Sequence, residues 1–413
     1  MRRSVALLTI AAAVLFLGFV TSAPVAVAQD GIRIIVPDSS IQHPEDIGVR
    51  AHTNYMFVVP DHLEIGDNGA PVAENPLSLS CIYHLVKQTK GCPKTSTILP
   101  TGGAKAIAIV DAYDNPSAAS DIKTFAAAYG YGTPNFSVVK VGSPTSCIPQ
   151  GWCPEESLDI EYSFGMAPNA QIYLVEANSN SFADLLAAED KATELVQAAG
   201  GGEASNSWGG GEFSGETSYD SHFKGKGVVY FAAAGDTDGE VIYPSTSPYV
   251  VSAGGTTIVR KSNGYFEEET AWGNGVRGSY PGAGGGPSQY EKRPSYQNVI
   301  KSIVGNQRGT PDISSEASNV SYVEIYSADG CGGWCGVGGT SVASPTIAGI
   351  INAAGHFKTS TKAELTEAYA DYANATKYKA DFNDITIGSN GYKCAVGWEY
   401  CTGIGSPKTF KGK

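Results

Sequence analysis

The sequence predicts an α/β protein built on a parallel sheet, and three observations carry that expectation. Lys105-Ala-Ile-Ala-Ile-Val-Asp111, Gln171-Ile-Tyr-Leu-Val-Glu176 and Val228-Val-Tyr-Phe231 are continuous apolar runs. They lack the alternation of a half-exposed strand and read as strands buried on both faces. Between the second and third lies a helix: Ser181 caps it, Asp184 follows three residues on, Leu185, Leu186, Leu195 and Val196 form its apolar stripe, and Gly200 ends it. Strand, helix, strand at this spacing means a parallel sheet. Ligands of such sheets sit at the carboxyl ends of strands, so chemistry is to be sought near Asp111 and after Phe231.

The composition agrees. The chain has 413 residues, 50 of them glycine, and 17% are charged, against usual values of about 7% glycine and about 25% charged. It is a loop-rich globular protein, neither coiled coil nor disordered, with length for one large domain or two ordinary ones. A formal charge of −13 gives no electrostatic case for nucleic acid or an anionic membrane as partner.

At the amino end, Arg2 and Arg3 precede an apolar run from residue 5 to 20, and Ala26-Val27-Ala28 offers small residues at a cleavage site. Residues 1–28 therefore read as a secretory signal peptide rather than a retained anchor. Its removal makes the mature chain two charges more negative. Export to an extracellular or periplasmic location follows, with no membrane attachment after cleavage and a monomeric state expected. The eight cysteines fall as four close pairs, Cys81/Cys92, Cys147/Cys153, Cys331/Cys335 and Cys394/Cys401. Neighbour pairing into local disulfides is the simplest reading, and zinc is a poor one, for no C-x2-C repeat occurs. Residues 29–103 are irregular, with Pro, His and Asp scattered.

The sharpest local signal is Gly338-Gly-Thr-Ser341-Val-Ala-Ser-Pro345, followed by a small-residue apolar run to Ala354. The run reads as a helix with Pro345 in its first turn. Ser341 then sits at a helix N-terminus, where free N–H groups favour a developing oxyanion. It is either a nucleophile or a plain N-cap. A nucleophile needs a base, and none of the six histidines lies in a suggestive context; His356, at the far end of the same helix, is about 22 Å away along the axis. No G-x-S-x-G elbow occurs. Any base is therefore a carboxylate. Pro154 opens a helix on which Glu155 and Asp159, at i and i+4, share one face. Such a pair is unfavourable unless a proton is shared, which raises one pKa; the plain alternative is a solvated acidic helix start.

Taken together, Glu155-x-x-x-Asp159, Phe231-Ala-Ala-Ala-Gly-Asp236 and Gly339-Thr-Ser341-x-x-x-Pro345 resemble the sedolisin family of serine-carboxyl peptidases, which have a subtilisin-like fold. The likeness runs from about residue 105 to the C-terminus through Ser207-Trp-Gly-Gly210, Ser252-Ala-Gly-Gly-Thr256, Pro311-Asp312 and Thr402-Gly-Ile-Gly-Ser-Pro407. It implies a single catalytic domain, residues 104–413, with helices on both faces of the sheet. It also implies Ser341 as nucleophile, Glu155 as general base, Asp159 as the acid that hydrogen-bonds and orients that base, and Asp236 as oxyanion donor. Glu156 competes for the role of base, and Asp111 reads as structural. A carboxyl donates to an oxyanion only when protonated, so acid-optimal hydrolysis of protein or peptide substrates is expected. Ser207–Gly211 and the loop 282–286 offer backbone for an extended peptide.

The resemblance further implies one Ca²⁺ in the loop 384–399, held by Asp384, the carbonyls of Ile385, Ala395 and Gly397, and Glu399, with alanine and glutamate where the family has glycine and aspartate. It leaves the long prodomain of the family without a counterpart, so residues 29–103 are either a short pro-segment or part of the mature fold. The leading expectation is an endopeptidase. A tripeptidyl exopeptidase of the same family and a non-catalytic binding protein with the same fold are the alternatives.

Overall fold

The computed structural model describes residues 26–29, 31–62, 64–66 and 72–413; the expected signal peptide, residues 1–28, lies outside the described residues except for the start of a short strand, Ala26–Gln29. At its centre is an eight-stranded sheet. Ala106–Ala112 lies between Gln171–Ala177 and Gly202–Asn206; beyond the first comes Phe136–Lys140, beyond the second Val228–Ala233 and then Val251–Arg260. These neighbours are parallel, as is Ile313–Glu316 against Val251–Arg260, while the edge strand Phe266–Ala271 is antiparallel.

The central strand shows why a continuous apolar run was needed. Ala106, Ala108, Val110 and Ala112 pack with Leu185, Leu186 and Val196 of the helix Phe182–Ala198 on one face. Ile107 and Ile109 meet Ile122, Ile160 and Phe164 from the helices Ala118–Tyr129 and Cys153–Met166 on the other. Alternate side chains thus enter two different cores. Ser181 caps its helix as expected, accepting from the Asp184 N–H at 3.1 Å. The helix stops at Ala198, ahead of Gly200.

The described part of residues 29–103 packs against the rest of the chain. Met56–Pro60 is the middle strand of an antiparallel sheet ordered Ala26–Gln29, Ile32–Ile35, Met56–Pro60, Gly333–Gly338, Val323–Ser327. The helix Pro76–Ile82, capped reciprocally by Asn75 and Ser78, buries Leu79 and Ile82 in the core that holds Leu158, Tyr162, Val342 and Ile350. A buried Glu74–Arg260 ion pair ties it to the main sheet. All four neighbour disulfides are formed: Cys81–Cys92, Cys147–Cys153, Cys331–Cys335 and Cys394–Cys401. Among the described residues, no helix is long and apolar enough to cross a membrane.

Candidate active site

Two helices and one strand end build the site. Ser341 is the second residue of the helix Thr340–Ala354, which leaves the strand Gly333–Gly338 through Gly339. Gly339 has φ 131°, and a Cβ there would lie 2.1 Å from the Asn54 carbonyl oxygen and 2.7 Å from Asp236 Oδ2. Only glycine fits. Glu155 and Asp159 project from the helix Cys153–Met166, which starts at the Cys147–Cys153 disulfide. Asp236 follows the strand Val228–Ala233 at its carboxyl end, where the sheet topology places ligand chemistry. Pro345 is in the second turn rather than the first, and its missing N–H leaves the Ser341 carbonyl to accept from Ser207 Oγ at 3.4 Å.

Ser341, Glu155 and Asp159 have no exposed surface. Ser341 Oγ donates to the Ser207 carbonyl at 3.1 Å; it lies near enough to the Glu155 carboxyl to lower its pKa, while Glu155 Oε1 is buried without a hydrogen-bond partner. Glu155 Oε2 also accepts the Asn54 N–H at 3.2 Å. Asp159 differs from expectation. Its Oδ1 accepts from Ser207 Oγ at 2.7 Å, its Oδ2 has no partner, and its coupling to Glu155 is electrostatic. The i, i+4 spacing brings the carboxyls near each other, but the nearest donor to Asp159 is the serine hydroxyl.

Burial raises both pKa values well above the ordinary range, and repulsion from Asp111 is the next cause in each case; for Glu155 the Ser341 hydroxyl works against the rise. Asp236 is pushed up to about 8 by burial, against two bonds from Thr340, whose N–H and hydroxyl both donate to Oδ1 at 2.7 and 2.8 Å. Its Oδ2 is buried without a partner. Asp236 thus holds a proton into neutral pH and presents an uncommitted oxygen beside the helix N-terminus. Glu156 is shifted by burial and by Asp111, Glu176, Asp114 and Asn115, and Ser341 is not among the groups that shift it; both its oxygens are buried without a hydrogen-bond partner. Asp111, expected to be merely structural, belongs to this carboxyl group, with both oxygens buried and unpartnered.

The cleft is filled by the protein's own chain. His52–Thr53 pairs antiparallel with Trp208–Gly211, His52 opposite Gly209 and Thr53 opposite Trp208. This is the edge expected to receive a peptide; it is buried, as is the loop 282–286. Asn54 follows: its carbonyl accepts the Ser341 N–H at 3.1 Å and its Nδ2 donates to the Ser207 carbonyl at 3.0 Å. Beside it lies a cavity of about 440 Å³, walled by Val36, Ile41, His52, Asp236, Ile242 and Tyr280 among others. Neither Asn54 nor the role of the Ser207 hydroxyl was legible in the sequence. Asn54 works through its backbone, which no residue type announces.

In the C-terminal loop, Asp384 accepts from Tyr378 Oη at 2.9 Å and from the Gly397 N–H at 3.1 and 3.2 Å. Glu399 accepts from the Cys401 and Thr402 N–H groups and from Thr402 Oγ1 at 2.7 Å. The donor set is oxygen-only, the chemistry a hard cation takes, but Asp384 Oδ1 and both Glu399 oxygens already accept two hydrogen bonds each and Asp384 Oδ2 one, so a cation would displace some of these donors. Cys394 and Cys401 lie within reach of Glu399, but their sulfurs are spent on the disulfide.

The sequence profile of the subtilase family matches residues 127–383. Kumamolisin from Bacillus sp. (strain MN-32) is 31% identical over 378 residues, covering 82% of this chain and 63% of kumamolisin. Tripeptidyl-peptidase 1 of Dictyostelium discoideum is 27% identical, covering 78% of this chain and 56% of that protein. The chain therefore spans less than two thirds of either relative. Among solved structures, Pseudomonas sedolisin, a serine-carboxyl proteinase complexed with two molecules of pseudo-iodotyrostatin, superposes with a TM-score of 0.68 at 25% identity over 81% of this chain and 95% of that one. The chain belongs to the subtilase family, and within it the proteins it is similar to are sedolisins.

Proposed function

We propose that this protein is an exported endopeptidase that works in acid through a Ser341 acyl-enzyme. The observation that carries the reading is the meeting of three groups: the Ser341 hydroxyl, the Glu155 carboxyl that interacts with it, and an Asp236 carboxyl kept protonated with one oxygen uncommitted. Glu155, in the ionised form that the Ser341 hydroxyl and the Asn54 N–H favour against burial, takes the hydroxyl proton as Ser341 attacks a peptide carbonyl. Asp159, held by Ser207, acts on Glu155 through its charge alone. The tetrahedral oxyanion is stabilised by the Ser341 N–H and by the protonated Asp236. Glu155 then returns the proton to the leaving amine, and water resolves the ester by the reverse sequence. Ionisation of Asp236 turns its donor into a repelling charge, which is why the rate falls toward alkaline pH.

The preference for internal cleavage rests on the length of the cleft. Residues 50–54 run through it: Arg50 bridges Ser181, the Ala51 N–H donates to the Asn180 carbonyl, and His52 and Thr53 pair with the facing strand. A tripeptidyl peptidase needs a block after three residues, and this groove takes five. Export is supported by four disulfides and by the signal-like residues 1–28.

Digestion of a denatured protein at about pH 3 to 5 tests the reading. Wild type is expected to give internal fragments and Ser341→Ala none. Release of N-terminal tripeptides selects the exopeptidase, and hydrolysis by Ser341→Ala rejects the mechanism. A profile peaking at pH 8 or above does the same. For the C-terminal loop we propose one Ca²⁺ on Asp384, Glu399 and the carbonyls of Ile385, Ala395 and Gly397; bound there, it ties the two ends of the loop together. Added Ca²⁺ is then expected to raise the Tm of wild type and not of Asp384→Asn, and equal Tm values with and without calcium would remove the metal.

A further inference from the structure

Asp236 has two carboxyl oxygens, and only the one that bears the proton can donate to an oxyanion. Thr340, the residue before the nucleophile, bears on which one that is. It is fully buried, and its N–H and hydroxyl both meet Asp236 Oδ1, at 2.7 and 2.8 Å. A third bond fixes the direction of the hydroxyl. The Gly235 N–H, which can only donate, reaches Thr340 Oγ1 at 3.1 Å, so Thr340 accepts there and spends its single hydrogen on Asp236. The backbone beneath is held in turn: the Gly282 N–H donates to the Asp236 carbonyl at 2.9 Å and the Gly284 N–H to the Gly235 carbonyl at 2.8 Å. Two donors fill both lone pairs of Oδ1, and a proton of its own there would face two others. Oδ2 is buried with no partner. It lies at the turn into the Ser341 helix, 2.7 Å from where a Gly339 Cβ would stand.

We propose that Thr340 is a positioning residue for the hydrolysis: its hydroxyl and N–H confine the Asp236 proton to Oδ2, so that the acid's O–H is the one group of Asp236 free to meet the oxyanion. The same two bonds favour the ionised carboxyl once the proton has left, against burial. Thr340 therefore acts in two directions. It makes the protonated acid useful, and it lowers the pH at which that form is lost. A residue that merely packs the turn does neither. The other titratable groups facing Asp236 are Glu155 on the helix Cys153–Met166 and Tyr280 on the loop beyond the strand Phe266–Ala271, with His52 and Glu240 elsewhere on the cavity wall. Among the described residues, Thr340 hydrogen-bonds to none of these through its hydroxyl or N–H, so its effect on a pH profile passes through Asp236. The proposal rests on the peptidase reading above.

Peptide hydrolysis by the full chain over a pH series tests it. Thr340→Val, close in shape and without the hydroxyl, is expected to lower kcat in acid by about tenfold, less than the about 10²–10³ of losing the oxyanion donor outright. It is also expected to move the alkaline limb up by about one pH unit, the shift that one hydrogen bond to a charged group gives. Thr340→Ser, which keeps the hydroxyl, is expected to recover most of the rate and the wild-type limb. In the Asp236→Asn background, Thr340→Val should find no alkaline limb to move. Difference infrared spectroscopy of wild type against Asp236→Asn in acid reads the proton directly and needs no Thr340 variant to fold. The Asp236 C=O band is expected at the low frequency of a carbonyl that accepts two hydrogen bonds. A band at the frequency of a free carbonyl puts the proton on Oδ1 and overturns the proposal. Thr340→Val with a lowered rate and an unmoved limb, or with wild-type kinetics, overturns it as well, and in each case wild type still cuts peptide and the peptidase reading stands. If wild type hydrolyses no peptide at any pH, the peptidase reading fails and the proposal with it.

Discussion

Asp236 shows how much a single position can be asked to do. Its carboxyl is neutral because burial outweighs two hydrogen bonds from Thr340, and only the neutral form donates to an oxyanion. Asp236→Ala is expected to lower kcat by about 10²–10³. Asp236→Asn keeps an N–H donor at every pH, so it should retain more activity and lose the alkaline fall of the wild-type profile. Steady-state kinetics over a pH series separates the two, and an unchanged alkaline limb in Asp236→Asn would assign that limb to another group. Ser341, Glu155, Asp159 and Asp236 were legible because chemistry restricts the residue type at each. Asn54 was not, since its contribution is a carbonyl and an N–H. Nor was the Ser207 hydroxyl, whose bond to Asp159 joins residues 48 apart.

The entry to the helix Thr340–Ala354 carries the tightest constraint among the elements. Gly339 turns from the strand Gly333–Gly338 with φ 131°, in contact with Asn54 and Asp236. Gly339→Ala is expected to destabilise the protein by about 3 kcal/mol or more, from positive φ and a backbone clash together. It should also abolish hydrolysis, because the Ser341 N–H and Asp236 would be pushed apart. Chemical denaturation and a peptide assay check both; wild-type stability in Gly339→Ala would mean that this turn is more pliant than its contacts imply. The helix itself was legible from its small apolar run. The consequence of Pro345 was not: the proline leaves the Ser341 carbonyl free for Ser207, and that needed the neighbouring strand to be seen.

Among the described residues, every Asp or Glu with a resolved shift is raised, with burial the leading cause. Asp236, Glu189 and Glu291 reach about 8 and Glu364 about 7. Cations do little to offset this, the well-buried ion pairs being Arg308–Asp312 and Arg260–Glu74. The sign follows from linkage. A carboxyl whose folded pKa exceeds its unfolded value of about 4 binds more proton when folded. Its contribution to stability is fully present below about pH 4 and is lost as pH rises through the folded value. The Tm should therefore be highest in acid and fall progressively between about pH 4 and 8. Calorimetry at several pH values measures this, and a Tm that climbs over that interval would contradict it. The proposed preference for acid would thus belong to the fold as much as to the catalytic mechanism.

By itself the sequence determined the parallel sheet, the two helices that carry Ser341, Glu155 and Asp159, and the four local disulfides, and it named the residues proposed as nucleophile, base and oxyanion donor. Each of these is written in residue types at short spacings. Tertiary structure decided what surrounds them: that Glu155 rather than Glu156 meets Ser341, that Ser207 holds Asp159, that Asp111 joins the buried carboxyls, and that residues 51–55 lie in the cleft. Those outcomes depend on contacts between segments tens to hundreds of residues apart, many made by the backbone. Burial, which sets the charge of every carboxyl in the site, exists only once the chain has closed around it.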